Sequence, residues 1–382
     1  MTAASERQPG GLQFSRRLRR TPFTARAEAC GVHGFSVVNH MLLPKAYQNT
    51  VEEDYWHLRE HAQIWDVACQ RQVELRGADA ARLAQWMTPR NLARAKTGDC
   101  LYAPLVDHDG GIINDPVLLK LADDHFRFSI ADSDVLLWAC GLAAGAGMQV
   151  DIYEPDVSPL AVQGPRAEEV IAALFGDAVR ELRFFKFARF SFMGAMHIVA
   201  RSGYSRQGGF EIYLEGEHRG SALWDALSEA GRAFQLRPGC PNLIERIEGG
   251  LLSYGNEMTR ANNPLECGLD AFCDLDGGLS HRECLGLEAL RAIRAAGVSR
   301  KIRGLRFDAP PCPPCAEPWR VTLKNSDALI GQVTSAAYSP RLRANVALAM
   351  MEGDGRTVGC RVHVHAADGQ LRNGKVVALP FA

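Results

Sequence analysis

Hydrophobic and polar positions alternate with two different periods along the chain, and the switches between them predict its elements. Residues 1 to about 20 are polar and punctuated by Gly and Pro, and are expected to be loosely ordered. Tyr55, Trp56 and Leu58 fall at helical spacing over residues 51–61. Residues 72–77 alternate as a half-buried strand, and Asp79 then caps a helix from residue 80 to about residue 87. Two strands, at residues 101–106 and 112–121, flank Asp107-His-Asp-Gly-Gly111, a strong turn signal. The second turns at Asp123-Asp124 into a strand over residues 126–130, and Asp132 starts a helix through residue 137. Strand, helix, hairpin, strand, helix describes an α+β unit with helices on an antiparallel sheet.

The same grammar recurs without sequence similarity. Residues 159–165 read as a strand and turn, and 168–175 as a helix. Residues 190–199 and 210–214 read as strands joined by a Gly- and Ser-rich loop, followed by helices over 222–233 and 244–254. Pro310-Pro-Cys-Pro-Pro-Cys315 excludes a regular helix or central strand, and short strand-like runs surround it. A small all-β terminal domain therefore begins near Arg300.

Composition narrows the function classes. At 382 residues the chain has room for two or three compact units and a large core. Forty-three Lys and Arg against 44 Asp and Glu leave no basic surplus to neutralise a phosphate backbone, so nucleic acid is not expected as a partner. Eleven scattered cysteines, an odd number, read as reduced thiols and a cytoplasmic protein. The weakly polar run at 135–150 is too short and glycine-rich for a membrane span, and no secretory signal follows the basic patch at 16–20.

Two segments carry candidate chemistry. In Gly110-Gly-Ile-Ile-Asn-Asp115-Pro116, Asp115 stands in a hydrophobic strand before a proline, with Asn114 as a second polar head. The plainer alternative is a strand-end aspartate satisfying turn amides. In Ser202-Gly-Tyr-Ser-Arg-Gln-Gly-Gly-Phe-Glu211-Ile-Tyr213, a glycine loop that can approach a ligand closely leads to a carboxylate framed by aromatics. That pattern suits a flat heterocycle with an amidine-like edge, the alternative being an exposed Glu beside a hairpin loop. Trp65, Trp138, Tyr102 and Tyr204 are candidates for an aromatic box around a cation. Cys312 and Cys315 have CxxC spacing, with His363 and His365 on one face of a strand, but no second pair stands at zinc-ribbon distance, and no metal site is expected. There is no G-x-S-x-G, Walker or dinucleotide motif.

Taken together, Phe35-Ser-Val-Val-Asn39, Trp65-Asp-Val67, Gly111-Ile-Ile-Asn-Asp115, Ser202 to Glu211, Arg246-Ile-Glu248, Tyr254-Gly-Asn-Glu-Met258 and Asn263-Pro-Leu-Glu-Cys-Gly-Leu269 resemble the folate-dependent aminomethyltransferases, the glycine cleavage T-protein family. The resemblance runs from about residue 20 to the end. Asn39-His-Met-Leu-Leu-Pro44, Val67-Ala-Cys-Gln-Arg-Gln72, Ile130-Ala-Asp-Ser-Asp134 and Cys240-Pro-Asn-Leu-Ile-Glu-Arg246 are most similar to its dimethylsulfoniopropionate demethylase branch.

The resemblance implies a three-domain cloverleaf disc of α+β class. Two interleaved α+β lobes (roughly 20–66 with 156–240, and 67–155 with 241–300) are joined to a C-terminal β-barrel at 301–382, with tetrahydrofolate in the central hole as methyl acceptor. It implies a catalytic Asp115 facing the folate N5, cofactor contacts from Tyr102, Glu211 and Tyr204, and substrate contacts from Tyr213 and Trp65. The implied partners are tetrahydrofolate and dimethylsulfoniopropionate, and a homodimer is compatible with this reading. Two departures stand out. Asn242 replaces an arginine of the glycine cleavage enzymes, which argues against a lipoyl carrier protein, and Tyr204 stands where the demethylase branch carries tryptophan. Other methyl donors (a betaine, a methylated amine, an aryl methyl ether), glycine cleavage itself and a folate-binding accessory role remain alternatives. The accessory proteins carry Lys-Gly-Cys-Tyr where this chain has Ser202-Gly-Tyr204.

Overall fold

The computed structural model describes residues 15–280, 282–324 and 326–381. A six-stranded sheet runs in the order Phe187–Phe192, Ala195–Ala200, Gly209–Glu215, Val157–Gln163, Gln63–Asp66, Arg237–Gly239, antiparallel except for its last pair. A five-stranded antiparallel sheet runs Asp151–Tyr153, Gln72–Arg76, His125–Ser129, Val117–Ala122, Cys100–Tyr102. The α+β-plus-barrel architecture expected from the sequence is the one observed.

Alternation along the strands gives each sheet one apolar and one polar face. On the first sheet, Ile64, Leu160, Val162, Phe210, Ile212 and Leu214 lie under helices Ala167–Phe175 and Gly220–Ala230. On the second, Val73, Leu75, Leu118, Phe126 and Phe128 lie under helices Ala80–Met87 and Val135–Gly145. Both apolar faces are thus covered by helices, and the opposite faces turn toward each other. They meet where Cys100 and Leu119 pack on Val157, Ile198, Ala200 and Tyr213.

The strands from Arg300–Phe307 to Leu371–Val377 close into a six-stranded barrel. Its strands Leu329–Ser339 and Ala344–Glu352 face the rest of the molecule. Val346, Leu348 and Met350 pack with Ile112, Ile247 and Met258, and Ser339 Oγ bonds the buried Glu248 carboxylate at 2.5 Å.

Several expected elements differ locally. Residues 190–199 are no single strand but a hairpin turning at Met193 and Gly194, both at positive φ. The helix expected from Asp132 begins at Val135, because the Asp134 side chain accepts the Leu137 amide. The helix expected over 244–254 is Leu243–Gly249, closed by Gly250 in the left-handed conformation. The expectation of a loose N-terminus falls mostly on residues outside those described. Arg19, within it, is tied by backbone bonds to His40 and Leu42.

Candidate active site

The two strands expected over 101–106 and 112–121 are each broken, and the breaks face one another. Ala103 and Pro104 separate Cys100–Tyr102 from Leu105–Val106, while Asp115 and Pro116 separate Ile112–Asn114 from Val117–Ala122. Pro116 has no N–H for a ladder, and its carbonyl accepts the Ala103 amide at 3.0 Å. Asp115 is therefore freed from regular pairing rather than held inside a strand. Asn114 is not a second polar head. Its Oδ1 accepts the Ala131 amide (2.9 Å) and its Nδ2 donates to Ser133 Oγ (2.8 Å), tying down a neighbouring loop.

Asp115 Oδ2 accepts a hydrogen bond from the Tyr102 hydroxyl at 2.9 Å, while its Oδ1 is buried without a partner among the described residues. Burial pushes the carboxyl up to about pH 7, against the opposing pull of the Tyr102 bond. Tyr102 itself is raised well above the usual phenol value, by burial and then by the adjacent carboxylate, so it stays a donor.

Tyr204 joins this group. Its hydroxyl donates to the Leu252 carbonyl at 2.6 Å; burial raises its pKa, the nearby Arg246 works the other way, and the Asp115 carboxylate adds to the rise. Arg246 is clamped by Glu257 (2.9 Å) and donates to Ser335 Oγ (2.5 Å), a barrel residue that also bonds Glu257. The barrel thus braces the arginine behind Tyr204.

Glu211 and Tyr213 sit on the polar face of the first sheet. Ala161 pairs with both Glu211 and Trp65, so these three share that face. Glu211 is buried and accepts from Ser202 Oγ at 2.5 Å; burial raises its pKa and the Ser202 bond works the other way. The loop before it needs its glycines for space. A Cβ at Gly203 or Gly209 would stand 2.0 or 2.4 Å from Gln163 Nε2, whose amide donates to the Ser202 carbonyl. The Tyr213 hydroxyl is buried beside Ser129, with no hydrogen bond of good geometry among the described residues. The second sheet offers Gln72 Oε1 and Arg127 Nη1, also buried without partners among the described residues, with Ser129 Oγ accepting from Gln72 Nε2 at 3.0 Å.

Asp115, Tyr102 and Tyr204 are thus brought together, with Glu211 and Tyr213 on the sheet face opposite. Trp65 shares that face but is closed into a cluster with Leu58, Val67 and Ala161, its N–H donating to Gln63 Oε1 at 2.9 Å. The four-ring aromatic box does not assemble. Trp138 packs in the helix-covered core of the second sheet, behind the face that carries Tyr102. Cys312 and Cys315 are free thiols packed against the barrel core. Sequence reasoning missed Ser202, Gln163, Gln72, Ser129, Arg127, Glu257 and Ser335, which act through long-range pairings that no local pattern signals. Asn242, the departure noted above, caps helix Leu243–Gly249 by accepting the Ile244 and Glu245 amides.

The GCVT N-terminal domain matches residues 23–277, and the glycine cleavage T-protein C-terminal barrel domain matches residues 300–382. The chain belongs to the glycine cleavage T-protein family. Within the family it is 49% identical, over 93% of its length and 95% of the relative's, to dimethylsulfoniopropionate demethylase of Ruegeria pomeroyi. It is 29% identical to the aminomethyltransferase of Moorella thermoacetica, covering 95% and 98% of the two chains. The crystal structure of glycine cleavage system aminomethyltransferase T from Bartonella henselae shares the family fold at a TM-score of 0.82, with 24% identity and coverage of 96% and 98%. Among the described residues no helix is long and apolar enough to cross a membrane.

Proposed function

We propose that this chain is a tetrahydrofolate-dependent demethylase. It transfers a methyl group from the sulfonium of dimethylsulfoniopropionate to N5 of tetrahydrofolate, giving methylmercaptopropionate and 5-methyltetrahydrofolate. The observation that carries this reading is the 49% identity, over nearly the whole chain, with the demethylase of Ruegeria pomeroyi.

The residues present fit a flat heterocycle. Asp115 Oδ1, Gln72 Oε1, Tyr213 OH and Arg127 Nη1 are buried without a hydrogen bond of good geometry among the described residues, and they belong to the two polar sheet faces and the strand break beside them. Such atoms are costly unless a ligand satisfies them. Bound tetrahydrofolate supplies the nitrogen lone pair that accepts the methyl group.

The protein's part is positional and electrostatic. A sulfonium already carries a good neutral leaving group, so no acid is needed on the donor side. Asp115 Oδ1 receives the proton given up at the accepting nitrogen, with Tyr102 fixing the other carboxylate oxygen. A carboxyl titrating near pH 7 is matched to that task. Glu211, oriented by Ser202, grips the donor edge of the heterocycle, and the Tyr204 ring, anchored through Leu252, walls the site beside Asp115. Tyr213 offers its hydroxyl on the substrate side, whereas Trp65 supports that wall from within its packed cluster. The rings of Tyr102 and Tyr204 exclude water beside Asp115 while the reacting atoms are aligned.

The test mixes purified protein with tetrahydrofolate and dimethylsulfoniopropionate under anaerobic conditions and assays both products. Equal accumulation of 5-methyltetrahydrofolate and methylmercaptopropionate is expected. Tetrahydrofolate binding without either product would move the assignment to another methyl donor.

A further inference from the structure

We propose that the outer wall of the C-terminal barrel carries a second binding site, for a small multivalent anion bearing phosphate or carboxylate groups. Four basic residues lie side by side on four adjacent strands. Arg306 pairs in register with Lys375, and Lys375 with Arg361. The Lys324 amide bonds the Arg361 carbonyl, continuing the pairing of Leu323 with Val362. Residues paired across strands point to the same face, so Arg306, Lys375, Arg361 and Lys324 form one transverse row. Their neighbours Phe307, Val376 and Val362 fill the barrel core, and all four row residues are exposed. Three inter-strand steps of about 4.8 Å give the row a length of about 14 Å.

The row lines a cleft of about 460 Å³ to which Arg343, Asn373 and Asp308 also contribute. That volume suits a small molecule rather than a macromolecular surface. Asp308 is the one carboxylate in the lining, and among the described residues none of the five cations forms an ion pair. Arg306 Nη2 donates to the Leu342 carbonyl at 3.0 Å. Like charges directly opposite one another destabilise a sheet. In a chain whose charges otherwise balance, five unpaired cations around one cleft are a local segregation of charge that a bound anion would neutralise. None of the cleft's lining residues belongs to the cluster in which the barrel's Ile302, Val346, Leu348 and Met350 pack against Ile112 and Tyr102, so this site stands apart from Asp115.

The test uses the full-length protein and its Arg361→Ala/Lys375→Ala double variant, titrated calorimetrically at low salt with tripolyphosphate and, separately, with citrate. Saturable one-to-one binding of at least one anion is expected, weakened roughly tenfold or more in the double variant, with methyl transfer unchanged. A preference for tripolyphosphate assigns a phosphate ligand, and a preference for citrate a polycarboxylate. Without added anion, Lys375→Ala is expected to raise the melting temperature at low salt, with the gain fading in about 0.5 M sodium chloride. Binding of neither anion, or equal binding by the double variant, overturns the proposal.

Discussion

Two carboxylates of the same lobe, Glu74 buried and Asp115 half-buried with one oxygen fully enclosed, behave in opposite ways. Glu74 is encircled: Arg127 Nε donates to it at 2.7 Å, Tyr153 OH at 2.8 Å, and His125 Nε2 lies at 2.6 Å. Burial works to raise its pKa, but these partners outweigh burial and hold it below the usual carboxylate value. Asp115 has one tyrosine hydroxyl and an empty oxygen, and burial wins. The comparison separates a carboxylate whose oxygens are used to join strands from one with an oxygen left unsatisfied among the described residues. Burial alone identifies neither; the number of satisfied lone pairs does.

The sharpest way to break this contrast is to remove each carboxylate in turn. Asp115→Ala is expected to lower kcat by about 10²–10⁴-fold while leaving the circular dichroism spectrum intact and the melting temperature no lower than wild type at pH 8. Turnover near wild type would end the proton-acceptor role. Glu74→Ala should do the reverse. It strands a buried guanidinium beside Glu215 and costs about 3–5 kcal/mol of stability, read by urea denaturation, while the folded fraction keeps near-normal kcat.

A third prediction uses pH. In the folded protein Asp115 titrates at about 7, against an ordinary value of 3.8. Between those values the folded form holds a proton that the unfolded chain has released, so this group's contribution to stability falls as pH rises across the window and is lowest above pH 7. Asp115→Asn removes that dependence. The ligand-free variant should nearly match wild type near pH 4 and exceed it by about 4 kcal/mol at pH 8. Asp66 is also raised, to about 7, but it is common to both proteins and cancels in the difference. A gain independent of pH would mean that Asp115 is not the group titrating. In wild type, kcat should climb with pH up to about 7 and level off above it.

How much of this was legible before the fold was known depends on the range of the interaction. The glycines at 203 and 209 and the Asp-Pro step at 115–116 were visible as local irregularities, because special backbone geometry leaves its mark on residue type. The partners were not. Tyr102 reaches Asp115 across a strand break, Ser335 reaches Arg246 from the barrel, and Gln163 fills the space left by two glycines on a loop some forty residues away. Each depends on register between distant segments. Trp138 shows the converse error: it looks like a cation-binding aromatic in sequence, and packing puts it behind a sheet.

The smallest expected effect tests the division of labour on the first sheet. Glu211 resembles Asp115 in having a single side-chain donor, Ser202, but it belongs to the first sheet, whereas Asp115 stands at a strand break of the other lobe. If its task is to hold the heterocycle and not to move a proton, Glu211→Ala should weaken tetrahydrofolate binding by about 10–30-fold, the scale of one buried charge-assisted pair. With folate saturating, kcat should stay within a few-fold of wild type. Ser202→Ala should act in the same direction and less strongly, because it removes only the bond that orients the carboxylate. Equal losses in kcat and affinity would place Glu211 in the chemical step. Unchanged affinity would remove it from the folate site and leave its burial without a functional account.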